Sequence, residues 1–167
     1  LVIWGISRNP AGVALRAMLA VPADRLRAIL SRLLANDGVS EAVVLSTCNR
    51  PGAYAVVLAA PKGVRAIVET LRRNAGLDAD GVRELDRALV VKQGPGAVEH
   101  LFRVVSSLDS LVLGEAQIIG QVRRAFAAAE DAGAVGETTR RLFRSAPEVG
   151  KRVREEPALG ARPGSVS

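Results

Sequence analysis

EAVVLSTCNRPGAYAVVLAA, residues 41–60, decides the fold. Two apolar runs, EAVVLST (41–47) and YAVVLAA (54–60), flank a CNRPGA stretch whose Pro51-Gly52 pair is a strong turn signal. Both runs are continuous and rich in β-branched valine. That predicts two strands, the first of them central in its sheet because no polar residue alternates along it.

Working outward, the flanking segments supply the partners these strands need. Residues 1–6 (LVIWGI) read as a short buried strand ending at Gly5. Pro22 precedes ADRLRAILSRLLAN, where Leu26, Ile29, Leu30, Leu33 and Leu34 recur on one helical face, and Asp37-Gly38 stops the helix. Downstream, the run from Pro61 through Arg73 places Val64, Ile67, Val68 and Leu71 on one face of a second helix. RALVVKQ (87–93) reads as a fourth strand. The order strand, helix, strand, strand, helix, strand predicts an α+β, ferredoxin-like βαββαβ sheet part over 1–93 with two helices on one face. After Gly96 the pattern is helical throughout. AVEHLFRVVSSL (97–108), then about 117–132 and about 138–153, each carry an apolar stripe. In the second the stripe is Ile118, Ile119, Val122, Ala125, Phe126 and Ala129; in the third it is Leu142, Phe143, Ala146, Val149 and Val153. Such stripes bury one another, so residues 94–156 are expected to form a small helical bundle, kinked at Pro147. The Pro/Gly-rich tail, 157–167, reads as a linker.

Composition narrows the function classes. Of 167 residues, 49% are hydrophobic but only 3% aromatic, so the core must be built from Ala, Val, Leu and Ile. No apolar run is long enough to span a bilayer. The opening LVIWGISRNP has neither a basic n-region nor a cleavage site, so no secretory signal is expected. A single cysteine excludes an internal disulfide, and one Cys with one His makes a poor zinc site; a reducing, cytoplasmic setting is expected. Lys and Arg total 23 against 17 acids, a net charge of +6 that suits a polyanionic partner such as RNA as well as it suits a plain Arg-rich composition.

Few residues can carry chemistry. Cys48 ends a strand immediately before a turn, two residues from Arg50, whose positive field favours the thiolate; a small buried apolar thiol fits the same position. His100 is the only histidine and falls on a helix. Arg140, Arg141, Arg144, Lys151, Arg152 and Arg154 make one basic helical face, either solvated surface or a contact for phosphates. GPGAVE (94–99) follows a strand and opens a helix, but it lacks the third glycine and the acidic ribose ligand of a dinucleotide loop. There is no Walker A motif.

Four segments share a resemblance. LSTCNR (45–50) resembles the signature of the glutamyl-tRNA reductases, which continues as Thr-Glu-aliphatic-Tyr; Tyr54 keeps the tyrosine. HLFRVVSSLDSLVLGEAQIIGQVRRAF (100–126) is similar to the family's second long signature nearly residue for residue. RLFRSAPEVGKRVREE (141–156) resembles its helical segment ending in Val-Gly-Lys-Arg-Val-Arg, and GISRNPAGVALR (5–16) resembles a worn form of its opening block. The blocks fall in the family's order along essentially the whole chain.

That resemblance implies a substrate-binding, catalytic-cysteine domain over 1–156. Cys48 would attack the ester joining glutamate to the tRNA 3′ end, and NADPH would reduce the resulting thioester to glutamate-1-semialdehyde for tetrapyrrole synthesis. By matching position Thr47, Arg50 and Ser110 would bind substrate, Arg50 by a two-donor grip on the γ-carboxylate. His100 would move a proton to or from the ribose hydroxyl. Glu115 and Gln117 would either polarise the site or cap a helix. The implied partners are glutamyl-tRNA and, through a further C-terminal domain, a second copy; no membrane is involved. The nicotinamide-binding and dimerisation parts are expected beyond residue 167, so this stretch by itself is expected to bind no NADPH.

Departures bear on rate. Pro51-Gly52 replaces Thr-Glu beside the cysteine, Arg8-Asn9-Pro10 replaces a His-basic-hydroxyl run, and Pro147 interrupts a helix normally free of proline. These leave two other readings: a stand-alone relative acting as a glutamyl-tRNA hydrolase or aminoacyl transferase, and a catalytically dead tRNA-binding module.

Overall fold

Tyr54 fixes the geometry of the sheet. It lies in a strand from Gly52 to Val57 that is paired on both sides, and Tyr54 itself stands opposite Val43 and Ile3. The computed structural model describes residues 2–6, 13–46, 51–106 and 117–155. Their elements run β1 (Val2–Ile6), α1 (Val13–Leu19), α2 (Ala23–Leu34), β2 (Val39–Leu45), β3 (Gly52–Val57), α3 (Ala60–Ala75), α4 (Ala79–Ala88), β4 (Leu89–Gln93), α5 (Pro95–Val105), α6 (Gln117–Asp131) and α7 (Glu137–Glu155). The four strands form one sheet in the order β2-β3-β1-β4, with every neighbouring pair antiparallel.

The sheet is covered on both faces. Val57 packs against Gly63 of α3 so tightly that a Cβ at Gly63 would lie 2.3 Å from Val57 Cγ1. Tyr54, three residues back and so on the opposite face, meets α5 and α7. Aliphatic side chains fill the α2–α3 side, with Ile29, Leu30, Leu33, Ile67 and Leu71 at most 2% exposed. On the other side Val122, Phe126, Phe143 and Ala146 join Leu101, Val104 and Val105.

Four expectations change. β2 is an edge strand, not a central one. Its run Ala42–Leu45 is buried because helices lie on both faces, α2 on one and α6 on the other, so burial alone does not make a strand central. Its outer edge is covered by the α6–α7 connection, where the Ala42 N–H donates to the Ala134 carbonyl at 2.9 Å. Gly52 is strand rather than turn, paired with Leu45 and Gly5, and Pro51 stands buried just before it, where no ladder bond is required. Two helices are additional: α1, and α4, which starts at an Asp78 whose carboxylate accepts from the Gly81 N–H. On α7 the stripe stops short. Leu142, Phe143 and Ala146 are buried, but Val153 is 40% exposed. α7 runs through Pro147, which is itself buried.

Candidate functional site

α5 carries the only histidine, and local chemistry fixes where α5 begins. Gly94 precedes the helix with φ +53°, a left-handed conformation that glycine adopts without Cβ strain, and Pro95 occupies the first turn, where its missing N–H costs nothing. Ala97, Leu101, Val104 and Val105 bury one face of α5. His100 stands beside that face, half-buried. α7 approaches α5 through Gly150, where a Cβ would lie 2.6 Å from the Val105 carbonyl oxygen.

His100 is held from the sheet. Tyr54, with no exposed surface, places its hydroxyl 2.9 Å from His100 Nδ1. The two rings are tilted by 46° with centroids 6.1 Å apart. Tyr54 also meets Phe143 edge-on at 5.3 Å, and Phe143 stacks on Phe126 at 5.8 Å. A chain of rings therefore runs from α6 through α7 and β3 to α5. In a chain so poor in aromatics, this concentrates three of the five at one place. Each such contact contributes about 0.5–1.5 kcal/mol beyond its burial.

Of the residues singled out in the sequence, Thr47, Cys48, Arg50, Ser110 and Glu115 lie outside the described residues, as do Arg8, Asn9 and Pro10. The Thr-Cys-Asn-Arg run belongs to the connection between Leu45 and Gly52, and those two residues are directly paired across the sheet. His100 is where its helical placement predicted. Gln117 is the first residue of α6 and exposed. Ser46, and the bond between Tyr54 and His100, are what sequence reasoning missed. Ser46 accepts the Val21 N–H at 2.8 Å, tying the entry of α2 to the end of β2. The sequence marked Tyr54 only as the tyrosine that follows the LSTCNR motif and as a lone large polar ring in an Ala/Val strand; neither signal points to His100.

The basic face of α7 is partly neutralised. Arg140 bonds Glu130 at 2.6 Å, Arg144 reaches the same carboxylate oxygen at 3.8 Å, and Lys151 pairs with Glu155 at 3.7 Å. Arg141 is exposed beside them. Two shallow grooves flank the outer side of α5. One of about 620 Å³ is lined by Pro95, Val98, Phe102, Val149 and Val153, and one of about 520 Å³ by Phe102, Arg141, Leu142 and Ser145. His100 lines neither, so these grooves are not where its chemistry lies. Among the described residues no group of three or more His, Cys, Asp or Glu is placed to hold a metal, and no helix is long and apolar enough to cross a membrane.

The chain and its fold have counterparts. The family model for "Glutamyl-tRNAGlu reductase, N-terminal domain" matches residues 4–157. The glutamyl-tRNA reductase of Nitrosococcus oceani is 38% identical over all 167 residues, which span 39% of that protein. Among solved structures, the glutamyl-tRNA reductase from Methanopyrus kandleri superposes with a TM-score of 0.69 at 32% identity, over 92% of this chain and 34% of that one. The chain thus spans well under half the length of the relatives it matches.

Proposed function

This chain belongs to the glutamyl-tRNA reductase N-terminal domain family, and from that premise we propose that it forms a glutamyl thioester on Cys48 from glutamyl-tRNA. The Cys48 thiolate attacks the carbonyl carbon of the ester linking glutamate to the terminal ribose. The carbon–oxygen bond to the ribose breaks, and the departing oxygen takes a proton from His100. The products are the thioester and uncharged tRNA. Arg50 holds the γ-carboxylate by two parallel hydrogen bonds, with Thr47 and Ser110 as further substrate contacts and Glu115 and Gln117 polarising the same region.

The observation that carries this reading is the family match across residues 4–157 with the Thr-Cys-Asn-Arg motif intact. The geometry adds support: the only histidine is bonded to Tyr54, on the strand that begins four residues after Cys48. For the sheet part we infer a ferredoxin-like arrangement, supported by the order β2-β3-β1-β4 and its antiparallel pairs. We take residues 1–156 as the catalytic domain, 94–156 being its helical part and 157–167 a linker. The hydrolase, transferase and inactive-module readings gain nothing from the comparisons.

NADPH is the reductant the family implies, and the described residues do not fit it. Their one Gly-rich strand-to-helix turn is Gly94-Pro95-Gly96, where proline removes a backbone donor that a pyrophosphate would need. No hydride step is assigned to these residues. Reduction to the semialdehyde, pairing into a homodimer and a cytoplasmic location belong to the proposal for a longer protein of the length of its relatives.

Incubation with glutamyl-tRNA carrying labelled glutamate is expected to leave label on the protein that hydroxylamine removes. Cys48→Ala should abolish that label while preserving the circular-dichroism spectrum. Equal labelling of the Cys48→Ala protein would sink the thioester.

A further inference from the structure

We propose that Tyr54 is the positioning residue that fixes the tautomer of His100, holding the imidazole proton on Nε2. The inference rests on the reading of His100 as the proton donor to the leaving ribose oxygen, and it adds the device that keeps this donor loaded.

The geometry sets the direction of the bond. Tyr54 Oη and His100 Nδ1 are 2.9 Å apart, and the tyrosine has no exposed surface. A phenol is a better donor than a neutral imidazole N–H, and an imidazole nitrogen is a better acceptor than a phenol oxygen. The proton of this bond therefore sits on Tyr54, and Nδ1 accepts it with its lone pair. In a neutral imidazole the nitrogen that accepts is the one without hydrogen, so the ring proton goes to Nε2. That nitrogen is then a donor to the departing oxygen. As its proton passes across, the Tyr54 hydroxyl proton moves to Nδ1 over the 2.9 Å bond, so the ring stays neutral and the charge comes to rest on a phenolate, a weaker base than the ribose alkoxide.

The mounting makes the bond selective. Phe143 meets the Tyr54 ring edge-on and is itself backed by Phe126, so the phenol is braced by α7 and α6 as well as by its own strand. α5 is fixed in turn by its buried face and by the close approach at Gly150. Tyr54 and His100 are 46 residues apart in sequence and on different elements. Their contact therefore reports the packing of the helical part on the sheet.

The chain contains one histidine and one tyrosine, which makes the test site-specific without further mutation. With nitrogen-15 histidine in the 167-residue chain, both ring nitrogen signals belong to His100. The expected spectrum at a pH where the ring is neutral shows an unprotonated Nδ1 and a protonated Nε2. In Tyr54→Phe, which keeps the ring against Phe143, the two signals should converge towards a tautomer mixture. The single-turnover rate of label transfer from glutamyl-tRNA to protein should fall roughly 10-fold, part of the 100-fold or more that general acids supply. Half-saturation by glutamyl-tRNA should stay unchanged, which a general loosening of the site would not allow. Growth on 3-fluorotyrosine replaces only Tyr54 and keeps a donating hydroxyl, so it should retain the Nε2–H form and the rate.

A proton found on Nδ1 in the unmodified chain, or an unchanged tautomer in both Tyr54→Phe and wild type, overturns the proposal. Should Tyr54→Phe fail to fold, the wild-type and fluorotyrosine spectra decide alone. The underlying reading fails differently: His100→Gln with an undiminished rate of label transfer would remove the acid role while leaving the tautomer result standing.

Discussion

At the start of α7 the residue placed to cap the helix is Gly136, which has no side chain to offer, and the cap comes from another part of the chain. Glu41 of β2 accepts from the Thr139 N–H at 2.8 Å, the Thr139 hydroxyl at 2.7 Å and, more weakly, the Thr138 N–H at 3.4 Å. Thr139 reciprocates towards the helix start by accepting the Gly136 N–H at 3.2 Å. Partial burial pushes the Glu41 carboxyl up, but these bonds from Thr139, Thr138 and Gly136 together outweigh it, and the group titrates below its ordinary value of 4.5. A folded-state value below the unfolded one means stability present above the unfolded value and lost as pH falls through the folded one. Glu41→Ala is therefore expected to cost about 1.5–3 kcal/mol at pH 7 by urea denaturation, the range for bonds to a charged acceptor. The difference from wild type should shrink as pH falls below the unfolded value of 4.5 and vanish once it has passed through the lower folded value, where the wild-type carboxylate is protonated. A constant difference down to pH 2 would show that Glu41 acts by packing alone.

Among elements, the packing of α5 on α7 decides where His100 stands. An exposed helical glycine replaced by alanine would gain roughly 1 kcal/mol from propensity. At Gly150 the new Cβ meets the backbone of Val105, its oxygen at 2.6 Å and its carbon at 2.9 Å, and backbone cannot swing aside. Overpacking of that kind costs about 1–3 kcal/mol, so the steric term wins. Gly150→Ala should lower the thermal midpoint by roughly 2–10 °C in a chain of this size, and an unchanged or raised midpoint would deny the close approach. The sequence made the long amphipathic helices plain, because α2, α3, α6 and α7 each repeat an apolar face over several turns. α4 escaped because only Leu85 and Ala88 are buried on it, too few for a period to emerge. The edge position of β2 was illegible for a related reason. Continuous burial records how many faces are covered, and α6, far downstream, covers the second. At the site, the LSTCNR motif named its residues, but the bond between Tyr54 and His100 joins β3 to α5 and exists only once the helical part has docked.

Over the whole molecule the charge is +6, yet the basic face of α7 is partly neutralised by an acid of α6. Glu130 of α6 takes Arg140 at 2.6 Å and sits 3.8 Å from Arg144, so two cations of that face share one carboxylate. These side chains are between 33% and 65% exposed, where an ion pair contributes at most about 1 kcal/mol. Glu130→Gln is therefore expected to fold normally, with a thermal midpoint within a few degrees of wild type. Its effect on tRNA should be larger than its effect on stability, because the proposed partner presents a row of phosphates. Each further phosphate neutralised by an arginine steepens the fall of binding with salt, by about 0.7–0.9 in the log–log slope, and changes affinity by roughly 3-fold between 50 and 200 mM salt. Releasing one to two arginines should then tighten tRNA binding about 3- to 10-fold at 50 mM salt, with most of the gain gone at 300 mM, where screening is short-ranged. Arg141→Gln, on the same helix and exposed, should move affinity and slope the opposite way. Fluorescence anisotropy with labelled tRNA across a salt series measures both quantities at once. Equal slopes for wild type, Glu130→Gln and Arg141→Gln would remove α7 from the RNA-binding surface and leave its basic face as solvated exterior.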